Sequence, residues 1–235
     1  MRDHNILLRK IGTVFSDHSL LHIALTHSSA ANEIKSAPTD SNERLEFLGD
    51  SLIGLVIANE LFYRLPEKPE GYLTELRSYL VSRETLAGVA KQISLGDHIL
   101  LGQGEKHTGG QYRDSNLSSG FEALMGAILL DQGFDKAYSV VAQLLSKEIE
   151  EVVENGVEKD PKSYLQELTQ SIGKGTPKYV LVQQTSGKHN RIFVVEIMLG
   201  TEVIGKGDGP RKLDAERIAA TNAIESLTLR GFDNI

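Results

Sequence analysis

Between Leu20 and about Asn155, apolar residues recur at spacings of three and four with few alternating β-branched stretches, a pattern that predicts helices almost throughout. The predicted helical segments are residues 19–30, 43–64, 72–81, 83–92, 115–131 and 135–154. In the second of these, Leu45, Phe47, Leu48, Leu52, Ile53, Leu55, Val56, Ile57 and Leu61 leave little polar face. That helix is therefore expected to be buried nearly all round. Asn155-Gly156 reads as a helix stop, and the run Glu150, Glu151, Glu154, Glu158, Lys159 and Asp160 reads as a solvated connector. Beyond it the pattern predicts a helix over 161–171, alternating strands over 178–185, 191–199 and 201–206, and a helix over 212–229. The expected fold is an all-α domain (1–155), a linker (156–160) and a small α+β domain of order α-β-β-β-α (161–235).

Composition narrows the chemistry. The 235 residues are 40% hydrophobic and 24% charged, as in ordinary globular protein, and contain no cysteine, which removes disulfides, thiolate nucleophiles and cysteine zinc sites. No apolar run reaches membrane-spanning length and the first ten residues lack a signal-peptide core, so a cytoplasmic location is expected. The net charge of -7 speaks against a polyanion as partner until it is divided along the chain. Residues 1–158 carry 14 basic against 23 acidic side chains, a net charge of -9, whereas residues 159–235 carry 11 against 9, a net charge of +2. The acidic part suits a cation-loaded site and the basic part suits a polyanion.

Within the apolar segment 43–64, Glu43, Glu46 and Asp50 stand at i, i+3 and i+7 and share one face. Desolvated carboxylates without a basic partner protonate, pair or bind a metal. Glu122 lies in an equally apolar helix, within Gly120-Phe121-Glu122-Ala123-Leu124-Met125-Gly126. If the two helices cross, Glu46, Asp50 and Glu122 form an all-oxygen set suited to Mg²⁺, with Mn²⁺ able to substitute. Two plainer readings stand beside this one: Glu43 as the partner of Asp40 in a capping box, and Glu122 as a core residue paired with Arg44 or Arg77.

The stretch Asn42-Glu-Arg-Leu-Glu-Phe-Leu-Gly-Asp-Ser51, with Thr26-His27-Ser28-Ser29, Glu70-Gly71, Leu101-Gly-Gln-Gly-Glu105 and Gly109-Gly110, resembles the signature of the ribonuclease III family of double-stranded-RNA endonucleases. The resemblance implies that Glu46, Asp50 and Glu122 hold the metal, with Asp50 and Glu122 catalytic. It links Glu43 and Glu70 to substrate handling and dimer organisation. It also implies hydrolysis of duplex RNA, such as ribosomal and messenger precursors, to 5′-phosphate and 3′-hydroxyl ends by a homodimer. Phe47 is the candidate dimer contact. One position departs from the pattern: where the family commonly has Asp, three residues before the last catalytic Glu, this chain has Ser119, a weaker ligand. Asp114 cannot take its place, since eight residues before Glu122 it lies about 80° around the helix.

The second domain resembles a double-stranded-RNA-binding domain, which reads A-form shape through two minor-groove contacts and the phosphates between them. The minor-groove contacts implied are Gln166, Glu167 and His189. The phosphate element implied is Gly207-Asp208-Gly209-Pro210-Arg211-Lys212, with Lys212 the leading cation and Arg211 beside it. Two further readings compete. One is a catalytically impaired RNA-binding or ribosome-associated protein, motivated by Ser119. The other is a hydrolase of small phosphorylated metabolites, which leaves the second domain without a task.

Overall fold

The computed structural model describes residues 4–34, 37–157, 160–186 and 191–230, and the chain divides into two compact units, Met1–Val157 and Glu158–Ile235. The first unit is helical and is organised around one crossing, that of α4 (Glu43–Arg64) with α8 (Asp114–Gln132). α1 (Asn5–Ile11), α2 (His18–Ala24) and α3 (Ser28–Glu33) precede it in the chain; α5 (Glu70–Leu80), α6 (Arg83–Gln92) and α7 (Gln103–His107) lie between the crossing helices. α9 (Phe134–Leu144) and α10 (Ser146–Asn155) follow. α2, α6 and α9 pack on α8, and α5, α9 and α10 pack on α4. Ile53, Ile57, Leu61, Leu76, Leu80, Leu86, Leu117 and Phe121 are enclosed between them.

The two central helices meet backbone to backbone. A Cβ added at Gly49 would collide with the carbonyl oxygen of Glu122, and one added at Gly126 would collide with that of Leu45. Each helix therefore presents a glycine to the other, and the axes approach more closely than side chains would permit. Glu46 and Asp50 flank Gly49 on one helix, and Glu122 stands one turn before Gly126 on the other. The crossing thus sets where the carboxylates meet.

Three features of this unit differ from the sequence expectation. α4 is not buried all round: Phe47 is 78% exposed, Leu55 55% and Phe62 64%, along one apolar stripe of the helix. The segment 19–30 is broken because its backbone is engaged by distant chain. Leu100 N–H donates to the Leu25 carbonyl, His27 N–H to the Leu100 carbonyl, and Asn42 N–H to the Thr26 carbonyl. These bonds replace helical ones, and the His27 side chain then accepts the Ser29 N–H to start α3. The segment 135–154 likewise breaks at Leu145, a fully buried residue with φ -99° and ψ 5° that redirects the apolar stripe. Helices α1 and α7 have seven and five residues, too short for a periodic signal.

The second unit has the order α11 (Pro161–Ser171), β1 (Lys178–Ser186), β2 (Arg191–Leu199), β3 (Glu202–Gly209), α12 (Lys212–Leu229). The Asp160 side chain accepts the Ser163 N–H, and proline opens the first turn of α11. The sheet is antiparallel in the order β1-β2-β3, with a bulge in β1 between Leu181 and Gln183. Val195, Ile197, Leu199 and Ile204 of the sheet pack on Leu165 of α11 and on Ala215, Ala219, Ala223 and Leu227 of α12. β3 runs to Gly209, past the expected end at residue 206, with Gly207 paired to Val195 and Gly209 to Phe193. Gly205, Gly207 and Gly209 face α12 so closely that a Cβ on Gly205 or Gly207 would strike the Ala219 backbone.

If the α4–α8 contact governs this fold, Gly49→Ala is expected to destabilise the chain by about 3 kcal/mol, read from urea midpoints. Gly88→Ala, in α6 where an added Cβ meets nothing within 4 Å, is expected to raise stability by up to about 1 kcal/mol. Equal effects of the two substitutions would remove the crossing from its central place.

Candidate active site

α4 begins directly after Asn42, which is buried and whose N–H is bonded to Thr26. Glu43 is thereby the first residue of the helix, exposed, with Ser41 Oγ donating to its Oε2 at 3.4 Å. Asp40 instead accepts the Ala37 N–H, so the Asp40–Glu43 capping box is not formed. Glu46, one turn on, is half-buried, and Asp50 is exposed. Across the crossing Glu122 is half-buried, and Ser119, one turn earlier on α8, donates its hydroxyl to Glu46 Oε1 at 2.9 Å.

The electrostatics join these groups. Burial first, then the charges of Glu46 and of Asp50, push the pKa of Glu122 up to about 7 from an ordinary value near 4.5. Among the described residues no ion pair links Glu122 to Arg44 or Arg77. Three carboxylates thus share one electrostatic neighbourhood with no cationic side chain among them to offset it. All the donors are hard oxygens, which is the chemistry of a divalent cation such as Mg²⁺ or Mn²⁺. As the side chains stand, however, no three Asp, Glu or His residues among those described close into a set that would hold an ion. The closed three-carboxylate cage expected from sequence is therefore not formed. Like charges repel.

The remaining motifs have framework roles in the structure. Glu70 opens α5, is exposed and accepts the Thr74 hydroxyl at 2.8 Å. His27 and Ser29 hold the turn into α3, and Ser29 Oγ also accepts the Gly102 N–H at 3.0 Å. Glu33 accepts the Gln103 N–H at 2.6 Å, so the Leu101–Glu105 stretch is tied to α3. Glu105 receives Arg113 and the buried Asn116, fixing the chain that leads into α8. Asp114 pairs with Lys91 at 2.6 Å, away from the carboxylates. Phe47 projects into solvent and lines a groove of about 640 Å³ whose walls are Leu20, Ile23, Leu45, Leu48 and Leu130, with Thr39, Glu43 and Arg44 also on its lining.

In the second unit Gln166 and Glu167 are exposed on α11, while His189 lies outside the described residues. Of the phosphate element expected over 207–212, Gly207 and Gly209 belong to β3 and lie close against α12, Pro210 is the connection and Arg211 is the N-cap of α12. Both expected cations have acidic partners. Arg211 is bidentate on Asp214, at 2.8 and 3.1 Å, and Lys212 stands 3.8 Å from Glu216. Glu216, which sequence reasoning missed, also receives Lys162, whose ammonium lies 4.9 Å from the centre of the Tyr179 ring. The i,i+4 spacing from Lys212 was its signal in the sequence.

Comparison with known proteins follows the same division. Residues 17–149 match the model of the "Ribonuclease-III-like" family, and residues 161–227 match that of the "Double-stranded RNA binding motif". The chain is 39% identical to Ribonuclease 3 of Dehalococcoides mccartyi, over all of both chains. It is 40% identical to Ribonuclease 3 of Bacillus cereus, over 94% of this chain and 90% of that one. The solved nuclease domain of ribonuclease III from Campylobacter jejuni is 37% identical with a TM-score of 0.58, covering 62% of this chain and 97% of that domain.

A pH dependence follows from Glu122. In metal-chelating buffer its folded carboxyl holds a proton up to about pH 7, whereas the unfolded chain releases it near 4.5. The folded state binds the extra proton between those values, so stability from this group falls as pH rises through that window and levels off above it. Glu122→Gln abolishes the slope. The variant's thermal midpoint is expected to gain on the wild type between about pH 5 and about pH 7.5, and a constant difference would contradict the assignment.

Proposed function

The chain belongs to the ribonuclease III family, and on that footing we propose that it is a Mg²⁺-dependent endoribonuclease that processes structured ribosomal and messenger RNA precursors in the cytoplasm. That it is an endoribonuclease acting on double-stranded RNA follows from the family and from the second unit's match to the double-stranded RNA binding motif. The family is generally metal-dependent. The observation that carries the reading is the α4–α8 crossing, which brings Glu46 and Asp50 within electrostatic reach of Glu122.

In this reading Glu46, Asp50 and Glu122 hold the cation, with Mn²⁺ able to replace Mg²⁺. When bound, such an ion would make water more acidic and neutralise charge on the phosphodiester, so that no protein nucleophile is needed; the family resemblance implies that the 3′ oxygen is the leaving group, which gives 5′-phosphate and 3′-hydroxyl ends. Glu122, with its raised proton affinity, gives up its proton as the cation enters. Glu43 and Glu70, both exposed on the acidic unit, handle the substrate around the site. In the second unit Lys212 takes the phosphate contact. Its pair with the half-buried Glu216, at 3.8 Å, is long and loose enough for a phosphate to displace, whereas Arg211 is already committed to Asp214. Gln166, Glu167 and His189 provide the minor-groove contacts.

Two copies pair through the apolar stripe of Phe47, Leu55 and Phe62, with the groove beside Phe47 receiving the partner's ring. The Campylobacter jejuni neighbour is described as having a region involved in dimer formation. A second reading, a catalytically impaired RNA-binding protein, is favoured by Ser119 and by the open arrangement of the carboxylates.

A long RNA duplex incubated with the purified chain and Mg²⁺ separates the two readings. Discrete short duplexes that vanish with Glu122→Gln are expected; tight binding with intact RNA would establish the second reading. Lys212→Ala is expected to weaken duplex binding regardless of sequence and to flatten the log-log salt slope by up to about one unit. An unaltered slope would place the phosphate contact elsewhere. Phe47→Asp is expected to shift the chain from dimer to monomer in sedimentation velocity, and a dimer unaffected by it would move the interface off α4.

A further inference from the structure

Glu46 reaches the crossing on a flexible side chain from a half-buried position, and its one side-chain anchor among the described residues is the Ser119 hydroxyl on the facing helix, at 2.9 Å. We infer that Ser119 is a positioning residue: it tethers Glu46 across the α4–α8 crossing and so presets one ligand of the cation site. The inference rests on the functional reading above, since it assumes that the cation binds at this crossing.

The chemistry of the pair supports a tether. A hydroxyl has one proton to donate, and a carboxylate has about four lone-pair positions, so Ser119 occupies one of them and leaves the rest of Glu46 available. A hydrogen bond to an ionised acceptor is stronger than one to a neutral acceptor. Ser119 and Glu122 lie three residues apart on one face of α8, so a single helical turn carries both the tether and the opposing carboxylate. A carboxylate at position 119 would instead set a fourth negative charge within hydrogen-bonding reach of Glu46, where one of the two would have to protonate or share the ion. The neutral hydroxyl orders Glu46 without that repulsion. The cation it prepares for is a hard divalent ion held by few protein ligands and several waters.

Mn²⁺ binding to the full chain without RNA, followed by electron paramagnetic resonance, tests the assignment. Ser119→Ala is expected to weaken Mn²⁺ binding by about tenfold, the effect of losing one hydrogen bond to a charged group. Ser119→Thr, which keeps the hydroxyl, is expected to restore most of that loss. Combined with Glu46→Gln, Ser119→Ala is expected to cost little more than Glu46→Gln alone, because the tether acts only through the residue it holds. Unchanged binding in Ser119→Ala, equal losses in the Ala and Thr variants, or additive losses in the double variant would each overturn the inference. If Glu46→Gln and Glu122→Gln still weaken Mn²⁺ binding, the functional reading survives that result. If neither does, the cation binds elsewhere and both fall.

Discussion

The first unit is built on a place where two helices touch through their main chains. Gly49 lies against the carbonyl of Glu122 and Gly126 against that of Leu45, so α4 and α8 come closer than the leucines and isoleucines around them would otherwise permit. Close approach increases the buried contact along both helices, and it has a second effect. Side chains that leave the helices beside the contact lose water, and on one side Glu46, Ser119 and Glu122 are half-buried there, with Asp50 exposed at the edge. The stability of the core and the unusual acidity of the site are therefore two results of one geometry. A looser crossing would relieve the carboxylates by letting water in, and would also disperse them.

This arrangement explains which parts of the fold were legible in the sequence. Long periodic segments read correctly because burial imposes their pattern locally: 43–64, 83–92 and 212–229 are helices over those same residues. The breaks at Leu25–His27 and at Leu145 were not legible, because the bonds and packing that cause them come from residues far along the chain, such as Leu100 and Asn42. Exposure was misread on α4 for a related reason. Phe47, Leu55 and Phe62 look like core residues to any periodicity argument, and only the packed structure shows that the stripe they form is left exposed by the described residues of its unit. Of the site, the shared face of Glu46 and Asp50 was visible in the i,i+4 spacing. The nearness of Glu122 needed the crossing, for which Gly49 and Gly126 were the unread signal. The hydrogen bond from Ser119 to Glu46 joins residues 73 positions apart and left no local trace.

The second unit uses the same device with a sheet in place of one helix. Gly205, Gly207 and Gly209 alternate along one face of β3, and Ala215, Ala219 and Ala223 recur every fourth residue along α12, so two periods of small residues meet. The same glycines that read as a phosphate loop in the sequence are explained in the structure by packing, since both uses require a missing Cβ. What remains at the start of α12 is a set of cations balanced by acids: Arg211 with Asp214, Lys212 and Lys162 with Glu216, and Arg217 with Asp160. The cations Arg211, Lys212 and Arg217 are exposed, and such partly solvated pairs contribute little to stability. Their effect is to grade the cations by how readily each can exchange its acid for a phosphate, which makes Lys212, with the longest and loosest pair, the most available of those four.

The carboxylate cluster and the paired cations then represent opposite solutions to one electrostatic problem. In the second unit every charge named has a partner at hand, so that part can fold with its surface charge balanced and exchange partners when a polyanion arrives. At the α4–α8 crossing the charges are of one sign, and the chain lowers their cost by proton uptake at Glu122 rather than by an arginine or lysine. A built-in cation would be better for folding, but it would occupy the position a divalent ion needs and repel that ion as well. A proton is the smallest and most easily displaced counter-charge available. With a pKa of about 7, Glu122 holds the proton at little cost below neutrality and, in the proposed reading, releases it when a divalent cation enters.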